Sequence, residues 1–253
     1  MALEKLALLH AVGAYVPRLV LQQAMVNPDQ AIIGEETRER AALLFADVSG
    51  FTQMSESLAQ LGKEGAEELT SVLNAYFTTM IDLVHRYGGA VIKFGGDAIT
   101  CHFADGAKGL ARACACALAM QDKMTQFAAV QTRGGVFNLR MKIGISAGPV
   151  LSMSVGQPEE GVEYVLAGRA LDRMSAAEHH AAAGEVLVDS LSLESEALYD
   201  KLGLTIAERR DEFLRITGLA YEVTPLSTAP ALPPLAPELV PTVIEQLVSY
   251  VPA

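Results

Sequence analysis

Residues 41–48, Ala-Ala-Leu-Leu-Phe-Ala-Asp-Val, are apolar except for one carboxylate, Asp47, near the end of the run. A stretch this short, without alternation of polar and apolar positions, reads as a β-strand buried on both faces. A chain that carries such a strand needs a sheet around it, with this strand near the centre.

The flanking segments supply that sheet and its helices. Between residues 65 and 87, Leu69, Val72, Leu73, Tyr76, Phe77, Met80, Ile81 and Val84 recur at helical steps, and Gly88 supplies the stop. Residues 90–94 and 98–103 are strand-like and joined through Gly95-Gly96-Asp97, which makes a hairpin with Asp97 at its tip. An Ala- and Met-rich helix over 105–128 follows, with Met120, Met124 and Phe127 as core filling. Strands are expected at 137–146, 150–155, 163–166 and 185–188, a helix at 168–183, and a final strand pair within 213–223. The hairpin among interleaved elements favours an α+β sandwich with a mixed or antiparallel sheet and helices on one face. Its first half has the ferredoxin-like β-α-β-β-α-β order, extended by further C-terminal strands and helices.

Residues 1–40 read as a flank: a short helix at 3–14, a broken stretch around Pro17 and Pro28, and a mixed-sign run over 35–40 taken as a solvated linker. Residues 41–225 form the main domain. Residues 226–253 read as a Pro- and Ala-rich linker and the start of a following helix. There the segment Leu247-Val248-Ser249-Tyr250-Val251-Pro252 echoes Val12-Gly13-Ala14-Tyr15-Val16-Pro17, which marks the opening of a second copy of the domain.

Thirty acidic against nineteen basic residues leave a net charge of −11, which disfavours nonspecific binding to nucleic acid or an anionic membrane face. Cys101, Cys114 and Cys116 lack zinc-site spacing and read as buried, reduced thiols. No run of about 18 apolar residues appears, so the expectation is a soluble, cytoplasmic protein. The adjacent His179 and His180 would face different directions on a helix and receive no metal role.

Two aspartates carry the chemical signal. Asp47 precedes Val48-Ser49-Gly50-Phe51-Thr52, where Gly50 lets the chain turn and the next residues open a helix whose free amides suit a triphosphate. Asp97 sits beside glycines that leave room for a ligand close to the backbone. A sheet that brings both tips together would present two carboxylates to hard divalent cations.

Residues 45–52 (FADVSGFT), 93–98 (KFGGDA) and 140–148 (RMKIGISAG) resemble, in order, signature blocks of the class III adenylyl cyclases. The likeness covers about residues 10–225 and is greatest to the first catalytic domain of the bicarbonate-responsive soluble cyclases. It implies conversion of ATP to cyclic AMP and pyrophosphate with two Mg²⁺ or Mn²⁺ ions, Ca²⁺ being an alternative occupant of one site. By the same resemblance Asp47 and Asp97 would hold both metals, with the Val48 carbonyl as a further ligand. Ser49, Gly50, Phe51 and Thr52 would seat the phosphates, and Lys142 would neutralise their terminal charge.

The chain also departs from the family pattern. Lys93 stands where homodimeric members read adenine and where the soluble cyclases contact bicarbonate, but Val165 replaces the second adenine reader. Asp172 and Ala176 occupy the places of the transition-state Asn and Arg. A carboxylate cannot act as an amide donor and alanine supplies no cation, so a symmetric homodimer of this chain would be crippled. The resemblance thus implies a metal-donating half whose partner is a second cyclase domain, downstream in the same polypeptide, with a homodimer as the form in isolation. For bicarbonate, the family's arginine falls at Ser175, with Arg173 as the substitute beside Lys93. The alternative is a noncatalytic regulatory half that binds nucleotide or bicarbonate. A diguanylate cyclase is disfavoured because Ala98-Ile99 follows the Gly-Gly-Asp turn.

Overall fold

The computed structural model describes residues 2–30, 32–193 and 202–251. Strand β1 (Glu36–Ser49) runs through the middle of the sheet, and Ala41, Ala42, Leu43 and Leu44 are fully buried. Its two sets of alternating side chains enter different cores, as strand pleating requires. Ala42, Leu44, Ala46 and Val48 join the main core, whereas Ala41 and Leu43 pack with Val150, Ala170 and Met174.

The main core is closed by α3 (Phe51–Ala59), α4 (Lys63–Arg86) and α5 (Gly106–Met124), and the other face is covered by α6 (Arg169–His180). Helices therefore lie on both faces of the sheet, not on one; a strand apolar on both sides needs cover on both.

The hairpin β2 (Ala90–Gly95) and β3 (Ala98–Phe103) forms as expected, and β3 pairs antiparallel with β1. On its other edge β1 pairs with β6 (Arg140–Gln157) from Glu36↔Met153 to Ser49↔Arg140. Strand β8 (Val186–Asp189) runs parallel to β6, and β10 (Phe213–Leu219) and β9 (Leu204–Arg210) extend the sheet antiparallel. Strand β7 (Gly161–Ala167) folds back on the far end of β6 as a hairpin arm. A separate short pair, β4 (Val130–Thr132) and β5 (Gly135–Phe137), follows α5. The mixed, largely antiparallel sheet agrees with the α+β expectation.

Several local expectations are corrected. The charged run 35–40 is not a linker: from Glu36 onward it is strand, held by its ladder to β6. Strands expected separately at 137–146 and 150–155 are one strand through Pro149, which falls where β6 is paired to neither β8 nor β7 on its second edge. The final strand pair lies at 204–219, earlier than the expected 213–223. The stretch after Pro17 is not broken coil but a helix, α2 (Arg18–Val26).

The flank and the tail also meet. Helix α1 (Ala2–Gly13), α2 and α7 (Val240–Val248) share a second apolar core with Ile32 of the flank and Val162 of β7, and Leu232 and Leu235 of the Pro-rich stretch pack against it. Gln246 Nε2 donates to the Pro28 carbonyl at 2.6 Å, and the Arg18 guanidinium to that of Pro230. Full burial of an aliphatic side chain such as Val243 or Leu247 contributes about 1.5–3 kcal/mol, so this cluster anchors both ends of the described chain.

The three cysteines are buried and unpaired, as expected, and burial pushes their thiols up. His102 of β3 is buried with Nε2 3.0 Å from Glu39 Oε1. Burial holds its pKa below the ordinary value, against the opposing pull of Glu39.

Two outcomes follow for stability. A Cβ at Gly144 would come within 2.3 Å of the Glu178 amide and the Met174 carbonyl of α6, so Gly144→Ala should cost about 1–3 kcal/mol by forcing the helix off the sheet, read by denaturant unfolding. Because the unfolded His102 titrates near pH ~6.5 and the folded one lower, its contribution is complete above that pH and is lost as pH falls toward the folded pKa. A His102→Gln variant should lack this component when unfolding free energies are compared between about pH 5 and 7.

Candidate functional site

The site is built at one end of the sheet where β1 leaves it. The β1–β3 register runs to Ala46↔Ile99. Continued by one residue it sets Asp47 level with Ala98, beside Asp97 in the two-residue turn of the hairpin. Adjacent strands are about 4.8 Å apart, so the two carboxylates belong to one cluster. Gly96 holds φ +70°, and so closes the turn that places Asp97 there.

Electrostatics reports the same proximity. Asp97 is half-buried, and burial raises its carboxyl pKa, with the negative charge of Asp47 adding to the rise and a hydrogen bond to its own backbone opposing it. Asp47 has a counter-ion: Lys142, its register partner on β6, places Nζ 3.4 Å from Asp47 Oδ2 and 2.6 Å from Glu178 Oε1. Those interactions, led by the hydrogen bond to Glu178, raise the Lys142 pKa. Glu178 is buried on α6 and is a candidate site residue that the sequence reading does not single out. A signal was available: Ala170, Met174, Ala177 and Glu178 share the buried stripe of α6, which leaves a carboxylate at a core position.

Immediately after β1, Gly50 takes φ +93° and starts α3. A side chain there would meet the Asn138 carbonyl at 2.5 Å, so glycine is required by conformation and by space. Ser49 Oγ donates to the Arg140 carbonyl at 3.2 Å, which ties the turn to β6. The first-turn amides of α3, at Phe51 and Thr52, have no intrahelical acceptor, and they lie beside Asp47 along the chain. Phe51 packs its ring against the main core, while Thr52 is exposed.

The donor set fits a hard divalent cation. Two carboxylates on adjacent strand ends and the Val48 carbonyl are oxygen ligands, and the Val48 side chain is buried, leaving only its backbone for such a role. Among the described residues no group of three or more His, Cys, Asp or Glu could hold a metal. Two carboxylates and one carbonyl are therefore a partial shell, which a divalent cation would have to complete with water or substrate oxygens.

The remaining sequence candidates lie elsewhere. Lys93 is exposed on β2 with Nζ 3.9 Å from Glu163 of β7, two residues from Val165 on the same strand. Arg173 instead pairs with the buried Asp189 and with Glu212 at 3.3 Å, in a network with Ser146 and Ser192 beyond β6. Lys93 and Arg173 thus have different carboxylate partners. Asp172 is exposed on α6, and Ala176 packs against Ala177, Ala181, Leu187 and Phe213. His179 and His180 are exposed, each with Nδ1 at a carbonyl one turn back.

Comparison with known proteins gives the same blocks a family. The chain is 28% identical over 180 residues to adenylate cyclase type 10 of Oryctolagus cuniculus, covering 68% of this chain and 11% of that protein. It is 29% identical over 135 residues to adenylate cyclase 1 of Rhizobium meliloti, covering 52% of this chain and 19% of the relative. The chain therefore spans about a tenth to a fifth of these relatives' length. Among solved structures, the adenylyl cyclase CyaB from P. aeruginosa matches with a TM-score of 0.56 at 24% identity, over 72% of this chain and 94% of that one. The guanylyl cyclase Cya2 matches with a TM-score of 0.58 at 23% identity, over 76% and 98%. The model of the adenylate and guanylate cyclase catalytic domain matches residues 33–218, a span that holds Asp47, Asp97, Lys142 and the whole sheet but for the last residue of β10, and the chain belongs to that family.

Proposed function

We propose that this chain converts ATP to 3′,5′-cyclic AMP and pyrophosphate, as the metal-donating half of a site completed by a second cyclase domain. The observation that carries the reading is the pairing of Asp47 and Asp97 on adjacent strand ends beside the opening of α3. When bound, a pair of divalent ions would lower the pKa of the ribose 3′-hydroxyl and offset charge on the departing pyrophosphate. Asp47, Asp97 and the Val48 carbonyl would hold Mg²⁺ or Mn²⁺, with Ca²⁺ an alternative in one position. Backbone amides around Gly50, Phe51 and Thr52, with the hydroxyls of Ser49 and Thr52, would orient the triphosphate.

Lys142 has a second task in this scheme. Without a cation its ammonium neutralises Asp47; with Asp47 neutralised otherwise, the Lys142 ammonium can turn one of its N–H donors from Asp47 to a terminal phosphate while another stays on Glu178. Preference for ATP over GTP rests on the likeness to adenylate cyclases. No helix among the described residues is long and apolar enough to cross a membrane, and we place the domain in the cytoplasm. Retention of both aspartates argues against a purely regulatory half, which has no need of them. A bicarbonate role for Lys93 and Arg173 would require their present carboxylate partners, Glu163 and Asp189, to give way.

The incomplete half is read from α6. Asp172 offers an acceptor where a donor is required, and Ala176 offers no charge. A partner domain with the missing amide and guanidinium would supply both.

Measured as cyclic AMP formed with Mn²⁺ or Mg²⁺, the isolated chain should show at most about a hundredth of the rate reached with an Asn- and Arg-bearing cyclase domain; equal rates would contradict the half-site. In the paired enzyme Asp47→Asn and Asp97→Asn should each lower turnover at least about 100-fold. Lys142→Met should lower kcat/KM by roughly 10- to 100-fold, largely through weaker nucleotide binding.

A further inference from the structure

Where the flank packs on the body, two clefts open at the corner between α1 and α2. Of the two echoed Tyr-Val-Pro corners, Tyr250 is buried in the second apolar core and its Pro252 lies outside the described residues. Tyr15, by contrast, is 64% exposed and walls the first cleft. This cleft, of about 460 Å³, lies between the α1–α2 corner, Ile81 and His85 of α4, and residues 91–94 of β2. Arg18, His85 and Lys93 line it and no carboxylate does, although acidic residues outnumber basic ones in this chain by thirty to nineteen. A cleft lined by one sign of charge concentrates ions of the other.

Lys93 is engaged by Glu163 of β7. Arg18 donates to the Pro230 carbonyl, which carries no charge, and burial lowers its pKa. Burial, and then the charge of Arg18, hold the His85 pKa below its ordinary value against the opposite pull of Asp82, which pairs with Arg86 at 3.6 Å. The opening of α2 adds to the same field: Pro17 is its N-cap without a side-chain hydrogen bond, and its first turn holds no acid.

The second cleft, of about 600 Å³, adjoins the first across Gly13, Ala14 and Leu21, which line both. Its walls are Leu6, Leu9, Leu21 and Met25 with Leu232 and Leu235 of the Pro-rich stretch. No Phe, Tyr or Trp lines it, and of its lining residues only His10 is titratable. One cleft thus offers cations without carboxylates, and its neighbour offers an aliphatic wall.

We propose that the two clefts together bind one long-chain carboxylate, its head on Arg18 and His85 and its chain between α1, α2 and residues 232–235. The guanidinium fork matches a carboxylate in shape and charge, and the unbranched chain matches walls of Leu and Met. An inorganic anion would leave the second cleft without a role. An anionic phospholipid surface offers similar chemistry, but a net charge of −11 opposes its approach. The occupant would also press on β2, the strand that ends in the Asp97 turn.

Calorimetric titration of the 253-residue chain with monomeric octanoate, decanoate and dodecanoate tests the site. Saturable binding of one carboxylate per chain is expected, tightening about 3- to 4-fold with each added methylene. Arg18→Gln, which keeps a donor for the Pro230 carbonyl, should weaken dodecanoate binding at least about 10-fold. Leu6→Asp changes a side chain that is 45% exposed; it should weaken binding by about as much, by setting a charge against the chain, and leave the melting temperature unchanged. Absence of binding, affinity independent of chain length, or full affinity in Leu6→Asp would each overturn the proposal. So would binding to phosphatidylglycerol vesicles without binding to monomeric dodecanoate, since the surface would then be a membrane contact. If Arg18→Gln does not fold, the chain-length series and Leu6→Asp still decide.

Discussion

The ladder between β1 and β6 is the constraint from which the site descends. It runs the length of β1, sets Asp47 opposite Lys142, and continues through Val48 and Ser49 before the chain turns at Gly50. A one-residue slip would move Asp47 to the other face of the sheet and away from Glu178. The slip is resisted because β1 buries different residues on each side, and because Gly144 of β6 lets α6 approach to where only a glycine fits. Fold stability and site geometry thus share one ladder.

At the end of that ladder the protein gathers more negative charge than it can leave uncompensated. Burial and the charge of Asp47 push the Asp97 carboxyl above its ordinary pKa, while Asp47 is matched by an ammonium that a buried glutamate keeps in place. A site arranged this way is poised to exchange an internal cation for an external one. The internal cation is on a flexible stem, so in the proposed scheme it would reach a phosphate without loss of contact with Glu178.

Much of this was legible in the residues themselves. The strand at 41–48, the helix before Gly88 and the Gly-Gly-Asp hairpin were readable because burial on both faces, helical periodicity and turn chemistry each leave a local pattern. The start of β1 at Glu36 was hidden, because charged residues become strand only through the partner ladder on β6. The second cover, α6, was assigned to the wrong arrangement for a related reason: an amphipathic stripe tells that a helix packs, but not on which face of a sheet. Glu178 carries no motif of its own, and only its place on the buried stripe of α6 marks it in the sequence. The fate of Arg173 depended on Asp189, sixteen residues away in sequence and buried beside it. The echo at Tyr250 was seen in sequence, yet only packing showed that the two copies touch.

The central claim, that the side chains of residues 47 and 97 jointly hold a divalent cation, is tested most directly by titrating Mn²⁺ into the protein with a non-cyclisable ATP analogue and following free Mn²⁺ by electron paramagnetic resonance. The account predicts that replacing either aspartate by asparagine weakens Mn²⁺ binding at least about 10-fold while circular dichroism stays unchanged. Binding of the same strength in the wild-type protein and in both variants would contradict it.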